Sequence, residues 1–455
     1  MARHGVFVSE EATGVLTPSQ TTSGIPFVVG FAPLTLADAE TRAAEMIPCL
    51  ITSFEEAQEK LGYSDDWADF GLCEFVYHHF KLCAQQPVIV VPLTESSVRE
   101  EHTVTAGNDR YFTLTGYGNG RYPAEISVSP SLQYTYDATT GKVTIISMIA
   151  TNERFTVTYN AAHDSAQNNA VAAAAVDKID LCMSMFGIIP DLIVAPGFSQ
   201  NSAVAAAMSA KAGAINGIFK GRAIVDIEAA TYTAAVTAKT SGSYDENAIL
   251  CWPCGSLGGK VLHGSTIEAG RIAMTDTDNS GVPYESPSNK SVSIDGLCLS
   301  DGTEVILTKS QGDILNAAGI NTFINFLGGW KAWGNVTGCY PTSTDVKDYL
   351  IPIARMFDWV GNSLIKTFWT KVDNPMNRRL IDTILDSANI WLNGLVGRGY
   401  LLGGRVEMSW SENSLTDLMA GKITLHVYLT PPSPAQEIAF KLEYDANYVS
   451  AALTA

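Results

Sequence analysis

The chain has 455 residues, of which 46% are hydrophobic and 17% are charged, and its formal net charge is −18. Because a single hydrophobic core stops growing at about 250–300 residues, this length predicts two to four domains. The negative charge argues against nucleic acid or an anionic membrane surface as a direct partner.

The N-terminal end predicts an extended arm. Val6, Phe7 and Val8 are strand-forming residues near the start of the chain, and a segment rich in Gly, Pro, Ser and Thr follows at 13–26. Extended at ~3.3 Å per residue, that segment reaches roughly 45 Å, so the arm can move independently of the core. The first residues lack the apolar centre of a signal peptide, and no apolar run is long enough to cross a membrane. We therefore expect a soluble protein made in a cytoplasm.

Residues 25–93 predict the first part of an α/β core. IPFVVGFA (25–32) and PVIVVPL (87–93) are short apolar runs typical of buried strands. Between them, 53–62 predicts a helix that opens on Ser53, and 71–86 predicts an amphipathic helix. Residues 100–160 then predict an inserted β module, because alternating segments are separated by turns rich in Gly, Asn and Pro.

Helices and strands alternate again in the next part of the chain. A helix at 168–186 precedes a strand at 190–197, a helix at 199–215 and strands at 222–228 and 248–255. This order indicates parallel strands in a sheet that helices cover on both faces. Close packing of helices on the sheet explains the many alanines of these helices.

The last hundred residues predict a long helix and a two-stranded ribbon. The helix lies within 374–401, is stopped by Gly397 and Gly399, and carries an apolar stripe at spacings of three and four residues. The stripe consists of Leu380, Ile384, Ala388, Trp391 and Leu395. Strict alternation then predicts two strands, 423–429 and 438–444, that pair with each other.

The ribbon raises the question of what covers its edges. An isolated pair of strands is marginally stable and leaves backbone donors and acceptors unpaired along both edges. Extended segments at both chain ends, 5–9 and 447–453, can be donated to neighbouring subunits, which would produce an interlocked polymer. The predicted donor residues are Val6, Phe7, Val8, Tyr448 and Val449, and the predicted acceptor residues are Ile423, Leu425, Val427, Ile438, Phe440 and Leu442. The alternative, that both ends fold back onto their own ribbon, stays open.

An enzyme is the rival class of function, with Ser199 as the best candidate nucleophile. Ser199 follows a buried strand and opens a helix, as the nucleophile of an α/β serine hydrolase does. Asn201 stands where the G-x-S-x-G pattern requires its second glycine. A role for Ser199 as the helix N-cap explains the same residues without catalysis.

Motifs for redox chemistry and calcium are incomplete. Cys251 and Cys254 have the spacing of a redox dithiol, but no clear helix follows them and no second pair completes a zinc site. The sequence DTDNSG (276–281) begins like a calcium loop, yet Pro287 stands where the bidentate acid is required.

Other candidate sites also have simpler explanations. GRGYLLGG (397–404) follows a helix, whereas a dinucleotide-binding loop follows a strand. His78 and His79 are adjacent on a helix and cannot face one metal. We therefore expect no enzyme activity, no cofactor and no bound metal. The cysteines stand apart in apolar surroundings and are expected to be reduced and mostly buried: Cys49, Cys73, Cys83, Cys182, Cys251, Cys254, Cys298 and Cys339.

Six segments follow one another in the order found in a known family. They are GVFVSEEATG…IPFVVGFAP (from Gly5), YESPSN (284–289), LNAAGINTFINF (315–326), WGNVTG (333–338), LNGLVGRGYLLGG (392–404) and LTPPSPAQEIAFKLEY (429–444). Together they resemble the contractile tail sheath family, which covers phage tail sheaths and the sheaths of contractile bacteriocins and injection systems. No single segment is specific, and the resemblance depends on all six in this order. It spans the chain except for the β insertion.

The resemblance implies a structural subunit that polymerises helically around an inner tube and contracts to drive the tube through a target cell envelope. The implied partners are further copies in stacked rings, the inner tail tube protein, and baseplate and tail terminator proteins. The implied location is a virion tail or contractile particle, made in the host bacterial cytoplasm. A C-terminal helix would touch the tube, and its candidate contacts are Lys366, Lys371, Arg378 and Arg379. An ordinary solvated helix start explains these four residues equally well.

The expected fold is α/β (α+β multidomain), with an α/β sheath core, an inserted small β domain, and a C-terminal helix plus β-ribbon completed by strands from neighbouring subunits. We expect the insertion to face outward and to protect or enlarge the sheath, with binding of sugars or proteins as the alternative. The predicted segments are an N-terminal arm (1–20), the first part of the core (21–99), the inserted β domain (100–160), the second part of the core (161–345), the C-terminal sheath domain (346–446) and a C-terminal extended arm (447–455).

Overall fold

The computed structural model describes residues 20–93, 97–103, 111–114, 124–137, 141–147, 150, 152–160 and 165–453. The predicted donor residues Val6, Phe7 and Val8 lie outside the described residues.

The first part of the core alternates strands and helices as predicted. Its elements are β1 (Pro26–Gly30), β2 (Cys49–Ile51), α1 (Phe54–Leu61), α2 (Gly71–Tyr77) and β3 (Val88–Pro92). Ser53 caps α1, because its hydroxyl accepts a hydrogen bond from the amide of Glu56 (3.1 Å). One turn of π-helix at His78–Leu82 continues α2. The short strand β2 is an addition that the sequence pattern does not predict.

The segment that follows β3 forms two small antiparallel sheets. Its strands are β4 (Ser97–Thr103), β5 (Tyr111–Thr113), β6 (Ala124–Ser129), β7 (Tyr134–Asp137), β8 (Lys142–Ile145) and β9 (Arg154–Asn160). One sheet has the order β4-β9-β6 and the other has the order β5-β8-β7. The His102 ring stacks on Phe112 at 3.9 Å between centroids, which joins β4 of one sheet to β5 of the other. Buried Val143 and Val157 belong to a separate hydrophobic cluster of this segment.

The second part of the core contributes helices, three strands that join β1 in one sheet, and several short strands. Its elements are α3 (Ser165–Val176), α4 (Cys182–Phe186), β10 (Leu192–Val194), α5 (Ser202–Gly213), β11 (Arg222–Asp226), α6 (Tyr232–Ser241), β12 (Ala248–Cys251), β13 (Cys254–Leu257), β14 (Lys260–Leu262), α7 (Gly264–Asp278), β15 (Gly296–Cys298), β16 (Glu304–Val305), α8 (Lys309–Ala317), β17 (Thr322–Asn325) and β18 (Trp330–Trp333). The strand predicted at 248–255 is divided into β12 and β13, since Pro253 between them has no amide hydrogen to donate.

A six-stranded sheet organises the core, with the order β12-β11-β10-β1-β3-β2. Neighbouring strands are parallel except at the edge, where β2 is antiparallel to β3. Fully buried Phe27 and Val29 of β1 face one hydrophobic cluster, and fully buried Val28 faces another. The prediction of a mainly parallel sheet buried on both faces is therefore confirmed, as is the α/β fold class.

The C-terminal part is built on two long helices. Its elements are α9 (Val346–Tyr349), α10 (Ile351–Phe368), α11 (Arg378–Gly397), β19 (Gly403–Glu407), α12 (Leu415–Met419), β20 (His426–Thr430) and α13 (Ala446–Leu453). Ala388, Trp391 and Leu395 of the predicted stripe are buried on α11, and the Trp391 ring packs on Trp359 of α10 at 5.6 Å. Across the described residues, the length and apolar character that a membrane-spanning helix requires occur in no helix.

Two predictions for the C-terminal end are wrong. The partner of β20 is β19, not the segment 438–444. Three prolines at 431, 432 and 434 supply no amide hydrogens and carry the chain away from β20 without a hairpin turn. Residues 447–453, predicted to be extended, lie in α13, because the side chain of Asp445 accepts a hydrogen bond from the amide of Asn447 and alanines favour the helix.

Candidate assembly surfaces

The ribbon of β19 and β20 lies on the C-terminal helices with one apolar face. Val406 is paired with Val427, and both side chains pack against the cluster formed by α10 and α11. The opposite face is polar, and the Arg405 guanidinium lies over the Tyr428 ring at 3.9 Å. Among the described residues, no third strand pairs with this ribbon. A ribbon anchored on one face with no further strand is a candidate site for strand addition.

The segment 438–444, named here the exposed segment, has no strand partner among the described residues. Its alternating apolar side chains are 72% (Ile438), 86% (Phe440), 97% (Leu442) and 83% (Tyr444) exposed. Just before it, the Gln436 amide donates a hydrogen bond to Asn335 of the core (2.9 Å). Contiguous exposed apolar residues of this kind mark an interaction site. The predicted acceptor residues Ile438, Phe440 and Leu442 are therefore not part of their own chain's ribbon.

The other predicted C-terminal positions lie at the ribbon and on α13. Ile423 and Leu425 precede β20 and are half-buried. Tyr448 is 78% exposed and Val449 is 41% exposed on α13. Their proposed roles as acceptors and donors stay predictions.

The root of the N-terminal arm is fixed on the core and on α10. The Trp359 indole donates a hydrogen bond to the carbonyl of Thr21 (2.6 Å), and the amide of Thr21 donates to the hydroxyl of Ser363 (3.2 Å). A few residues on, the hydroxyl of Ser23 donates to the carbonyl of Gly281 (2.8 Å). The segment 13–26 is predicted to be extended and free to move. Its free part is shorter than its composition indicates, because Thr21 and Ser23 are bonded to α10 and to the core.

A buried charge cluster fastens α10 to the core beside this root. The Arg355 guanidinium, 4% exposed, donates to Asp276 (2.9 and 2.5 Å) and to Asp191 (2.7 Å). Burial raises the pKa of the Asp276 carboxyl, and the charge of Arg355 opposes that shift. Asp276 was part of the candidate calcium loop, and its carboxylate is instead committed to Arg355.

The predicted tube-contact residues lie around the connection between α10 and α11. Lys366 and Lys371 are half-buried, whereas Arg378 and Arg379 are exposed at the start of α11. Of the four, Arg378 is paired with Asp382 at 3.5 Å in the described chain. Two large apolar side chains, Trp369 (62% exposed) and Val372 (60% exposed), lie in the same connection and were not predicted. Their signal in the sequence is weak, because exposure of a single tryptophan leaves no periodic pattern.

Ser199 does not have the surroundings of a catalytic nucleophile. It is buried, its hydroxyl donates to the Asp226 carboxylate (2.9 Å), and it accepts from the Asp226 amide (3.0 Å). The N-cap of α5 is Asn201, so the predicted capping role of Ser199 is also wrong. His263, at the start of α7, is bonded to Glu74 (2.7 Å). Within the described ranges, no histidine forms a hydrogen bond with Ser199, so the pairing of serine with histidine that a serine hydrolase uses is not found there.

The remaining candidate motifs belong to the core. Burial raises the pKa of the Cys251 and Cys254 thiols well above the usual range, which disfavours thiolate chemistry. His78 and His79 are buried, and burial lowers their pKa values to about 4 and about 3. In the described part of the chain, no group of three or more His, Cys, Asp and Glu side chains is arranged to hold a metal ion.

Comparisons with known sequences identify tail sheath proteins as relatives. No family model matches the chain. Over 280 residues, the chain is 25% identical to the tail sheath protein of Burkholderia phage BcepMu, and the match covers 58% of this chain and 57% of that protein. It is 28% identical over 280 residues to a putative prophage major tail sheath protein of Pseudomonas aeruginosa, covering 59% and 69% of the two chains. The match thus spans little more than half of the Burkholderia phage protein.

Comparisons with solved structures show the fold. A chain of the contracted helical sheath of the anti-feeding prophage is 18% identical with a TM-score of 0.62, and the alignment covers 98% of this chain and 100% of that chain. A chain of the contracted sheath complex of an extracellular contractile injection system is 14% identical with a TM-score of 0.60, covering 98% and 99%. The sheath tail protein of Desulfitobacterium hafniense is 14% identical with a TM-score of 0.52, covering 89% and 93%. The resemblance seen in the sequence is confirmed: this chain is a relative of the contractile tail sheath proteins and has their fold.

Proposed function

We propose that this chain is the structural, non-enzymatic subunit of a contractile tail sheath, which polymerises helically around an inner tube and contracts to drive the tube through a target cell envelope. The observation that carries the proposal is the coexistence of an incomplete ribbon and an exposed segment of alternating apolar residues in one chain. Strand addition between copies satisfies both, because it covers the apolar residues and pairs the free backbone groups.

The two chain ends would join neighbouring copies. Val6, Phe7 and Val8 would supply the N-terminal strand, and the exposed segment would supply the C-terminal strand. Tyr448 and Val449 on α13 would then follow the donated strand onto the neighbour. Since each arm is continuous with its own subunit, copies would stay joined while their bodies rotate. The energy for contraction would be the conformational free-energy difference between two lattices.

The connection between α10 and α11 is our candidate for contact with the inner tube protein. Lys366, Lys371, Arg378 and Arg379 would attract an acidic tube surface weakly enough to release it. Trp369 would add an apolar anchor, since tryptophan and arginine are enriched among the residues that contribute most to protein interfaces. Baseplate and tail terminator proteins would bind the two ends of the polymer.

We place the assembled protein in a virion tail or contractile particle, after synthesis in the host bacterial cytoplasm. The two small sheets of β4–β9 would face outward and enlarge or protect the sheath. In this role the protein would make no direct contact with nucleic acid or with a membrane.

Deletion of residues 1–15 is expected to give a folded protein that no longer polymerises. The deletion removes the N-terminal donor strand and keeps Thr21, where the root of the arm is bonded to α10. Electron microscopy of negatively stained protein and sedimentation would measure polymer formation. A matched variant with Val6, Phe7 and Val8 each changed to Asp should behave in the same way. Normal long sheaths from either variant would refute N-terminal strand donation.

Changing Lys366, Lys371, Arg378 and Arg379 to Glu is expected to leave self-assembly intact and to weaken tube binding by about tenfold or more, the effect of losing ~1.4 kcal/mol. Co-sedimentation of sheath and tube protein measures the effect. The control changes Arg42, Lys81, Lys309 and Lys347 to Glu, which alters the net charge equally on other surfaces. Equal tube binding by the two variants would contradict the assignment.

A further inference from the structure

Two cysteines face each other in a small sheet beside the core sheet. This sheet has the order β14-β13-β15-β16, and Cys254 of β13 is directly opposite Cys298 of the antiparallel strand β15. The Cα atoms of opposite residues in antiparallel strands lie ~4.5–5.5 Å apart, within the ~4.4–6.8 Å that separates the Cα atoms of a disulfide. The two strands therefore already have the backbone spacing that a disulfide between them requires.

Both thiols lie on the same face of this sheet. A Cβ added at Gly255 would meet Ile267 and Ile294, so that face of β13 is turned toward the core. Because side chains alternate along a strand, Cys254 and its partner Cys298 point to the opposite face. The Cys298 thiol donates a hydrogen bond to the carbonyl oxygen of Gly255 (3.4 Å), which places its sulfur on the side of β13. The two sulfur atoms are thus directed toward each other.

This pair differs from the pair that the sequence spacing suggests. Cys251 and Cys254 are three positions apart, but Cys251 belongs to β12 and lies opposite Asp226 of the core sheet. Cys49 lies opposite Val90. In the strand pairs of the described residues, no other two cysteines are opposite each other.

A small cavity leads from the surface to Cys254. Its lining includes Trp252, Cys254 and Ser300. Ser300 and Glu228 are exposed at its rim, where the Ser300 hydroxyl donates a hydrogen bond to the Glu228 carboxylate (2.8 Å). Cys254 is 8% exposed and Cys298 is 3% exposed. The cavity is therefore the route by which an oxidant as small as hydrogen peroxide would reach the sulfur of Cys254.

We propose that Cys254 and Cys298 form a redox site, in which hydrogen peroxide oxidises the two thiols to a disulfide that joins β13 to β15. In a reducing cytoplasm the pair stays as thiols, and the disulfide forms once the chain is in an oxidising medium. This inference goes beyond the proposed sheath function and can be tested without polymerisation.

The reaction has two steps. The Cys254 sulfur attacks one oxygen of hydrogen peroxide, the O–O bond breaks, and Cys254 becomes a sulfenic acid while the released hydroxide and the thiol proton form water. The Cys298 sulfur then attacks the Cys254 sulfur, the S–O bond breaks, and the released hydroxide takes the Cys298 proton to form a second water. The two thiols lose two electrons, which the peroxide gains.

Burial makes this oxidation slow. It raises the pKa of the Cys254 thiol well above the usual range and that of the Cys298 thiol to about 11. The attacking thiolate is therefore scarce at neutral pH. We expect the rate of disulfide formation to increase as the pH rises.

The disulfide would close a loop that contains β14 and α7. α7 carries Asp276, whose carboxylate accepts hydrogen bonds from Arg355 of α10. A cross-link at the two ends of this loop restricts the unfolded chain and so favours the folded state. We therefore expect the oxidised protein to unfold at a temperature several degrees higher than the reduced protein.

Peptide mapping of the full-length protein treated with hydrogen peroxide tests the proposal. We expect an intact mass lower by two hydrogens and, after digestion without reductant, one peptide pair linked through Cys254 and Cys298. Cys298→Ala should show neither change. Cys251→Ala is the matched control and should show both. Because the link is read directly on the unsubstituted chain, the test remains valid if a variant fails to fold.

The results that would overturn the proposal are equally specific. They are a link between Cys251 and Cys254, sulfinic or sulfonic acids without a link, and thiols that stay unreacted. Reductant should restore both thiols and the lower unfolding temperature of the linked protein. An unchanged unfolding temperature would contradict the stabilising role of the disulfide. Polymerisation of the reduced chain, measured separately, tests the sheath function alone.

Discussion

Changing both Phe440 and Leu442 to Asp is expected to abolish polymerisation and to leave the folded monomer unchanged. In the described chain these side chains are 86% and 97% exposed, so the fold loses almost no burial when they are replaced. In a polymer each would be covered by a neighbour, and each buried side chain contributes about 1.5–3 kcal/mol. Two carboxylates on the same face would also have to be buried. The combined effect on each contact exceeds roughly a hundredfold in the association constant.

Sedimentation and thermal unfolding measure the two halves of this prediction. The control changes Lys441 and Glu443 to Ser, two neighbours on the polar face of the same segment. That variant should polymerise, because its apolar face is intact. If the Asp variant forms sheaths of normal length, donation of residues 438–444 is wrong.

Arg355→Met is expected to destabilise the monomer strongly. The change leaves Asp276 buried without its partner, and removing one member of a buried ion pair costs about 3–5 kcal/mol of the free energy of unfolding. Denaturant unfolding measures the loss. Arg405→Met is the matched control on an exposed pair with Glu407, where a loss of under about 1 kcal/mol is expected. Similar losses in both variants would contradict the role of the cluster in holding α10.

The loss in the free energy of unfolding caused by Arg355→Met should depend on pH. Without Arg355, the pKa of Asp276 in the folded state stays raised by burial above its unfolded value of about 3.9. A group of this kind contributes stability below its unfolded pKa, and that stability is lost as the pH rises through the folded pKa. The difference between variant and wild type should therefore shrink in acid. Adding Asp276→Asn to Arg355→Met should recover part of the loss at neutral pH.

Local features of the fold could be predicted from the sequence where they depend on neighbouring residues. Ser53 marks the start of α1 because a capping hydroxyl acts within three residues. Ala388, Trp391 and Leu395 predict the buried face of α11 because helical periodicity places them together. The alternation of 423–429 likewise predicts a strand, which the structure describes as β20.

Features that depend on distant partners could not be predicted in the same way. Alternation in 438–444 shows that one face of a strand is to be covered, but it does not identify the strand that pairs with it. The pair of Arg355 and Asp276 spans 79 positions, and no local pattern connects them. The hydrogen bond from the amide of Val406 to the side chain of Asn389 (2.8 Å) forms only after α11 and the ribbon have packed.

The candidate nucleophile Ser199 also shows that a local sequence pattern does not establish the role of a residue. Ser199 has the local context of a nucleophile, since it follows β10 and lies close to the start of α5. Its actual role depends on Asp226 at the end of β11, because the Asp226 carboxylate accepts a hydrogen bond from the Ser199 hydroxyl and the Asp226 amide donates one to the same hydroxyl. A serine held in this way fixes the loop after β10 to the carboxyl end of β11, which explains its burial without catalysis.

A three-dimensional reconstruction of the assembled polymer by electron cryo-microscopy would show whether neighbouring copies exchange strands. We expect a hollow striated cylinder in which residues 438–444 of one copy form backbone hydrogen bonds with the ribbon of β19 and β20 of a neighbour. A cylinder in which every chain end lies on its own subunit, with copies joined through side chains alone, would contradict it.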